Sequence, residues 1–174
     1  GGTSRPVKEW VGEPVLMPSI PIYAPESTVL RPETEPPLIR SEKAVVGIAF
    51  APDGRTLAIN NGTQIEFWDY AAGKMVSEIT PARSSKAIAY SPDGSLLAIN
   101  MGGSGISLWD MAAGAERLLI AGSIQGDAAL VFSPDGSLLA GSTTDYKGHL
   151  WRVADGTEAA LLEGHTRYLY DFVF

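Results

Sequence analysis

The sequence predicts an all-β protein built from a repeated unit of four short antiparallel strands. A pattern of an aromatic residue, any residue, Pro, Asp and Gly begins at Phe50, Tyr90 and Phe132, and Phe174 stands one period further on. A tryptophan follows each complete copy of the pattern, at positions 68, 109 and 151. Self-similarity at a fixed period of 40 to 42 residues indicates a repeat architecture, so the repeat is the unit of folding.

The third copy shows how each unit divides into strands. An apolar run precedes a turn in which Pro134 presets φ and Gly136 supplies a position with φ > 0. Further on, small or polar residues alternate with large apolar ones, which is the pattern of a half-buried strand. The predicted strands of this copy are 128–132, 137–140, 148–153 and 158–162. The first two copies repeat the order, and no stretch shows a convincing helical period.

These residues resemble the WD-repeat family of β-propellers over roughly residues 44–174. The Pro-Asp-Gly turn, the Trp-Asp pairs and the Gly-His pair at 164 and 165 match in register. The resemblance implies propeller blades of four antiparallel strands in an incomplete ring, with three repeats and the first strand of a fourth. It also implies that the tryptophans pack between blades. The structural motif residues that it implies are Asp53, Gly54, Trp68, Asp69, Asp93, Gly94, Trp109, Asp110, Asp135, Gly136, Trp151 and His165.

The chain departs from the family in the hydrogen-bonded set that often stabilises a blade, which joins His, Ser or Thr, Asp and Trp. The third copy offers Ser142, Asp145 and Trp151 but lacks the His, and the first two copies have asparagines at 60 or 61 and at 100. We therefore expect the blades to depend on the packing of aliphatic residues and tryptophans, at roughly 1.5 to 3 kcal/mol for each large side chain fully buried.

Residues 1–43 differ from the rest and are expected to form a proline-rich linker or strap. Eight of the 12 prolines lie there, among Glu, Ser and Thr, a composition that favours extended conformations. Leu38 and Ile39 could also supply an outer strand that closes a ring. Because three repeats do not close a propeller of 4 to 8 blades, we expect the chain to be a piece of a longer protein whose natural N-terminus is absent.

Composition excludes several classes of function. The net charge of −7 argues against nucleic-acid binding, which needs clustered Lys and Arg. The chain has no cysteine, which excludes disulfides and thiolate catalysis without deciding the compartment. No apolar run is long enough to span a membrane, so we expect a soluble protein.

No motif for catalysis or for a metal ion emerges. His149 and His165 stand sixteen residues apart without a regular acidic pattern, and the segment Gly102–Gly105 has the wrong spacing for a nucleophile elbow. The repeated Asp-Gly pairs are turn residues, since a calcium loop needs acidic ligands at alternate positions. We predict no enzymatic activity, no metal and no cofactor.

The predicted function is that of a protein-interaction scaffold with an unidentified protein partner. Binding residues are expected on the loops, because the strands beneath them are committed to packing. Tyr and Arg are enriched in interface hot spots, and we select Arg83, Tyr146 and Arg167 as partner-binding residues. Tyr70, Lys86, Tyr168 and Tyr170 are further aromatic and basic candidates.

Two other hypotheses about the class of propeller remain open. The chain could be a ligand- or substrate-binding propeller attached to an enzymatic domain that lies outside it, with the proline-rich segment as the linker. TolB-like and peptidase-associated propellers also use Ser-Pro-Asp-Gly turns, although the Trp-Asp pairs favour the WD-repeat family. Open sheet edges and apolar blade faces also predict self-association.

Overall fold

A computed structural model of the chain describes residues 39, 41, 43–122, 129–167, 169 and 171–174. All of them belong to the unit Pro36–Phe174. Nearly all of the predicted proline-rich strap, together with the candidates Tyr168 and Tyr170, lies outside the described residues.

Three four-stranded antiparallel sheets make up the described part of the chain, and this confirms the predicted all-β repeat. Sheet 1 contains β1 (Gly47–Phe50), β2 (Thr56–Asn60), β3 (Ile65–Asp69) and β4 (Lys74–Ile79). Sheet 2 contains β5 (Ile88–Tyr90), β6 (Leu96–Asn100), β7 (Ile106–Asp110) and β8 (Ala115–Ile120). Sheet 3 contains β9 (Val131–Phe132), β10 (Leu138–Ser142), β11 (Gly148–Arg152) and β12 (Glu158–Leu162). Within each sheet the strands lie side by side in chain order. A single 3-10 turn, Gly102–Ser104, is the one helical element among the described residues.

The Pro-Asp-Gly turns join the first and second strands of every sheet. In sheet 1 the Asp53 carboxylate accepts hydrogen bonds from the backbone N–H groups of Arg55 and Thr56, at 2.7 and 2.8 Å. The next residue, Gly54, has a φ of 65°, which glycine adopts without the steric cost of a Cβ. The aspartate and the glycine together therefore reverse the chain and set the register of the hairpin.

A β-bulge recurs at one place in all three sheets, immediately before the tryptophan of the third strand. The register between the third and fourth strands shifts at Phe67/Trp68, at Leu108/Trp109 and at Leu150/Trp151. A bulge increases local twist and redirects the strand. Its repetition shows that the three units share a backbone geometry as well as a sequence pattern.

Two apolar clusters hold the sheets together face to face. We call the side of each sheet that carries its tryptophan the tryptophan face. The tryptophan face of sheet 2, with Leu97 and Ile99 at its centre, packs against Ile65 and Phe67 on the opposite face of sheet 1. In the same way, the tryptophan face of sheet 3 packs against the opposite face of sheet 2 through Trp151 and Leu108. Neighbouring sheets also contact each other along their first strands, β1 with β5 and β5 with β9.

The last residues of the chain lie against the opposite face of sheet 3. The Ser142 hydroxyl donates a 2.7 Å hydrogen bond to the Leu169 carbonyl. A Cβ added to Gly148 would lie 3.1 Å from the Phe172 ring. These residues occupy the place at which the sequence predicts a fourth repeat, but residues 171–174 are not assigned to a strand.

Candidate interaction surface

The aspartates of the Pro-Asp-Gly turns accept several local hydrogen bonds. Asp93 accepts from the Ser91 hydroxyl at 2.6 Å and from the Ser95 backbone at 3.0 Å. Asp135 repeats this with Ser133 and Ser137. The serine hydroxyls, which stabilise the ionised carboxylates, lower the pKa of Asp93 and of Asp135 to about 2. These aspartates therefore stabilise the turns through local hydrogen bonds.

The aspartates that follow the first two tryptophans accept hydrogen bonds from the backbone of the next tight turn. Asp69 accepts from the Ala72 backbone at 2.9 Å, and Asp110 accepts from the Ala113 backbone at 2.8 Å. Asp69 also receives the Arg55 guanidinium at 2.7 Å, which lowers the pKa of this carboxyl. Arg55 is largely exposed, so the ion pair contributes little stability.

The three tryptophans occupy equivalent positions but different surroundings. Trp151 is buried in the cluster between sheets 2 and 3, and Trp109 packs against the cluster between sheets 1 and 2. Trp68 lies on the tryptophan face of sheet 1, and its indole N–H donates to Glu66 at 3.0 Å.

A buried polar bridge links sheet 1 to the connection that enters sheet 2. The carboxamide oxygen of Asn60 accepts from the Ser85 hydroxyl at 2.7 Å and from the Gly62 backbone at 2.8 Å. Its amide group donates to the Lys86 carbonyl at 3.3 Å. Asn60 and Ser85 are both fully buried. Sequence reasoning placed Asn60 in the middle of the repeat but missed this role, because Ser85 is 25 residues away in the chain.

His149 organises a polar cluster on sheet 3. Its ring stacks on Trp151 with the centroids 5.5 Å apart. The Thr143 hydroxyl lies 2.9 Å from Nε2, and Glu158 lies 3.0 Å from Nδ1. Thr143 also bonds to Asp145, and this hydrogen bond is the main reason that the pKa of Asp145 is lowered. The sequence predicted a half-exposed strand residue at 149, but the carboxylates on either side of its ring were not foreseen.

A cavity of about 320 Å³ opens beside this cluster. Its lining includes Thr143, Asp145, His149, Trp151 and Glu158. The side chains of Asp145 and Glu158 are about half exposed, so their carboxylates are available to an incoming group. An aromatic wall with two carboxylates favours a basic side chain over an acidic one.

The selected partner-binding residues lie at one end of the strands. Arg83 is exposed in the connection between β4 and β5, and Tyr146 is 42% exposed in the loop between β10 and β11. Arg167 and His165 are exposed in the segment after β12. Because the strands alternate in direction, these connections all leave the sheets at the same strand ends, which we call the long-connection end. Tyr70 is exposed at the opposite end, in the turn between β3 and β4.

Comparisons with protein families and with curated proteins identify no relative. No protein-family model matches the chain, and no curated protein matches it. Within the described residues, no group of three or more His, Asp or Glu side chains is placed to hold a metal ion. The same part of the chain contains no helix long and apolar enough to cross a membrane.

Proposed function

We propose that this chain is a non-catalytic, WD-repeat-like segment of a β-propeller that serves as a scaffold for a protein partner. The repeated four-stranded sheets support the interpretation as propeller blades. Their packing supports it as well, because the tryptophan faces of sheets 2 and 3 each pack on the opposite face of the sheet before and the first strands approach each other. Sheets that radiate from their first strands have the arrangement of propeller blades.

The observation that carries the functional proposal is the exposure of the three selected residues at the long-connection end. Arg83, Tyr146 and Arg167 are all exposed, and all lie on connections there. Tyr146 has a φ of 65°, in the left-handed region that is uncommon for residues other than glycine. Such conformations cost energy and are concentrated at functional sites.

The cavity on sheet 3 adds two carboxylates, those of Asp145 and Glu158, to this surface. The loop that contains Tyr146 also supplies Thr143 and Asp145 to the cavity. A partner could place a Lys or Arg side chain between the carboxylates of Asp145 and Glu158 while it contacts Tyr146. The proposal therefore favours a partner segment with an exposed basic residue.

The test compares two sets of substitutions at opposite ends of the sheets. The first set combines Arg83→Glu, Tyr146→Asn and Arg167→Glu, and the matched control set combines Arg117→Glu, Tyr70→Asn and Arg152→Glu. Immobilised wild-type and variant chains are used to capture proteins from an extract of the cells that make the protein. Any captured protein is then purified, and its affinity is measured by calorimetry.

We expect a protein that binds the wild type and the control set, and that binds the first set at least about tenfold more weakly, because hot-spot residues carry most of the binding energy. If both sets retain every captured protein equally, the long-connection end is not the binding surface. If the wild type captures no protein that also binds in purified form, the scaffold proposal is wrong.

A further inference from the structure

Among the described residues, part of the tryptophan face of sheet 1 is apolar and open, although Ile59 on this face is buried. On the same face, Ile48 is 61% exposed, Phe50 is 56% exposed and Met75 is 43% exposed. Strand register places Phe50 opposite Leu57, which is in turn opposite Trp68, so these side chains form one continuous surface. Isolated exposed apolar residues are ordinary, but a contiguous apolar patch indicates a contact surface.

The same surface is covered in sheet 2. Ile88 is equivalent to Ile48 by strand register, yet it is only 8% exposed, and Leu97, the equivalent of Leu57, is fully buried. The cover is the opposite face of sheet 1. The tryptophan face of sheet 3 is covered in the same way by sheet 2. In both pairs, therefore, the tryptophan face of one sheet packs against the opposite face of the sheet before it.

Sheet 3, at the other end of the series of sheets, has an opposite face of this kind. Leu150 and Leu162 of this opposite face are equivalent to Leu108 and Ile120, which cover sheet 3 from sheet 2. Leu108 and Ile120 are buried, whereas Leu150 is half-buried and Leu162 is 40% exposed. Gly148 stands where sheet 2 has the buried Ile106, and Phe172 packs into the space above it.

We propose that two copies of this chain associate reciprocally, with the tryptophan face of sheet 1 in each copy packed on the opposite face of sheet 3 in the other. Each contact then repeats the packing already present between sheets 1 and 2 and between sheets 2 and 3. The result is a closed two-fold ring of six sheets, within the range of roughly 4 to 8 blades that form propellers. This proposal rests on the propeller arrangement proposed above and does not involve the protein partner.

The area of contact favours the reciprocal arrangement over a single one. The four strands of sheet 3 have two, five, five and five residues and lie about 4.8 Å apart, so they present a face of roughly 270 Å². One such contact buries about 540 Å² on the two partners, which is below the roughly 1,000 Å² that a specific interface needs, whereas two contacts bury about 1,100 Å² and exceed it. A single head-to-tail contact would also leave open ends and allow filaments.

Leu169 and residues 171–174 compete with the partner for sheet 3. Phe172 lies against Gly148, the equivalent of Ile65 by strand register, and it stands two residues before Phe174 as Ile88 stands two residues before Tyr90. Ser142 further anchors this segment through the Leu169 carbonyl. A partner's sheet 1 must displace the segment, so the segment weakens the association.

The experiment is sedimentation velocity of the 174-residue chain over a wide range of concentrations, with four variants. Ile48→Lys and Phe50→Asp each place a charge on the open face, and both sites are exposed, so neither is expected to unfold the sheet. Removal of residues 168–174 clears the face of sheet 3. The matched control is Leu119→Lys, since Leu119 is 45% exposed on the edge strand β8 of the middle sheet. Circular dichroism checks that every variant is folded.

We expect a concentration-dependent dimer that Ile48→Lys and Phe50→Asp each weaken at least about tenfold, as charges do when they are buried without a partner. The truncated chain should dimerise more tightly, and Leu119→Lys should match the wild type. A dimer that survives both charge substitutions overturns the proposal. So does a truncation without effect, which would indicate two copies of sheet 1 facing each other, and so does a monomer in both the full and the truncated chain.

Discussion

Single side chains in this protein differ among the repeats in ways that change local stability. Ser91 and Ser133 precede the Pro-Asp-Gly turns of sheets 2 and 3, whereas sheet 1 has Ala51 at this position. Each serine is buried, donates to the turn aspartate and accepts from a backbone N–H of the second strand, at 2.9 Å in both sheets. Asp53 lacks this donor and uses Thr56 instead. The same turn is therefore built with two different hydrogen-bond sets.

The aspartate turns make stability depend on acid pH. The folded pKa of about 2 for Asp93 and Asp135 lies below the usual value, so their stabilising effect is present above pH 4 and is lost as the pH falls towards 2. Replacing Ser91 and Ser133 by Ala removes the main cause of the low pKa. We expect this double variant to be less stable than the wild type at neutral pH and to lose less further stability between pH 4 and 2.

Urea unfolding at several pH values measures this effect, and Ser77→Ala, at an exposed position of β4, is the control. A double variant whose free energy of unfolding runs parallel to that of the wild type from neutral pH to pH 2 would contradict the explanation.

At the scale of strands and connections, buried polar side chains join one repeat to the next. Asn60 at the end of β2 bonds to the connection before β5, and Ser142 at the end of β10 bonds to the segment that follows sheet 3. The two residues are at equivalent places in their sheets. Because buried donors and acceptors must be paired, the Asn60 bridge fixes where sheet 2 begins, and the Ser142 bridge holds the segment after β12 against sheet 3.

Asn60→Ala should lower the free energy of unfolding by about 2 to 3 kcal/mol, since it leaves the buried Ser85 hydroxyl and the Lys86 carbonyl without their partner. Ser85→Ala should cost less, because Asn60 keeps its bonds to the Gly62 N–H and to Lys86. The measurement is a double-mutant cycle in urea, with the exposed Thr80→Ala as the control. Additive effects of the Asn60 and Ser85 substitutions would show that the two side chains do not act together.

For the whole molecule, the position of a sheet in the series decides how well its apolar residues are shielded from solvent. Both faces of sheet 2 are covered, and every residue of β6 is buried. Sheet 1 has Ile48 and Phe50 open on one face, and sheet 3 has Leu162 open on the other. Local opening costs more free energy where more apolar surface must be exposed. The middle sheet should therefore be the most stable part of the described chain.

Hydrogen exchange followed by mass spectrometry tests this order. At low protein concentration, amides of β6 and β7 should exchange about tenfold or more slowly than those of β2 and β3, which corresponds to about 1.4 kcal/mol or more in opening free energy. Conditions that favour the proposed dimer should slow exchange in sheet 1 more than in sheet 2. Equal protection of sheets 1 and 2 at low concentration would contradict the assignment of an open face.

Local signals in the sequence were sufficient for the turns and for the existence of the strands in the three sheets, although of the predicted strand 128–132 only Val131–Phe132 is assigned to a strand. A Pro-Asp-Gly turn and a period-2 pattern act within a few residues, so both can be recognised without knowledge of the partners. The His149 cluster could not be predicted in this way, because Glu158 reaches the ring from the neighbouring strand. The Asn60 bridge depends in the same way on a residue from the next repeat.

By itself, the sequence determined the repeat, the four short strands of each of the three sheets and the turn role of the aspartates, because these depend on backbone preferences and on side chains close together in the chain. Only the tertiary structure decided which apolar faces are covered and which remain open. Ile48 and Ile88 occupy the same position in equivalent strands, yet one is exposed and the other is buried. The difference arises from whether a neighbouring sheet lies against them, and a local pattern carries no information about that.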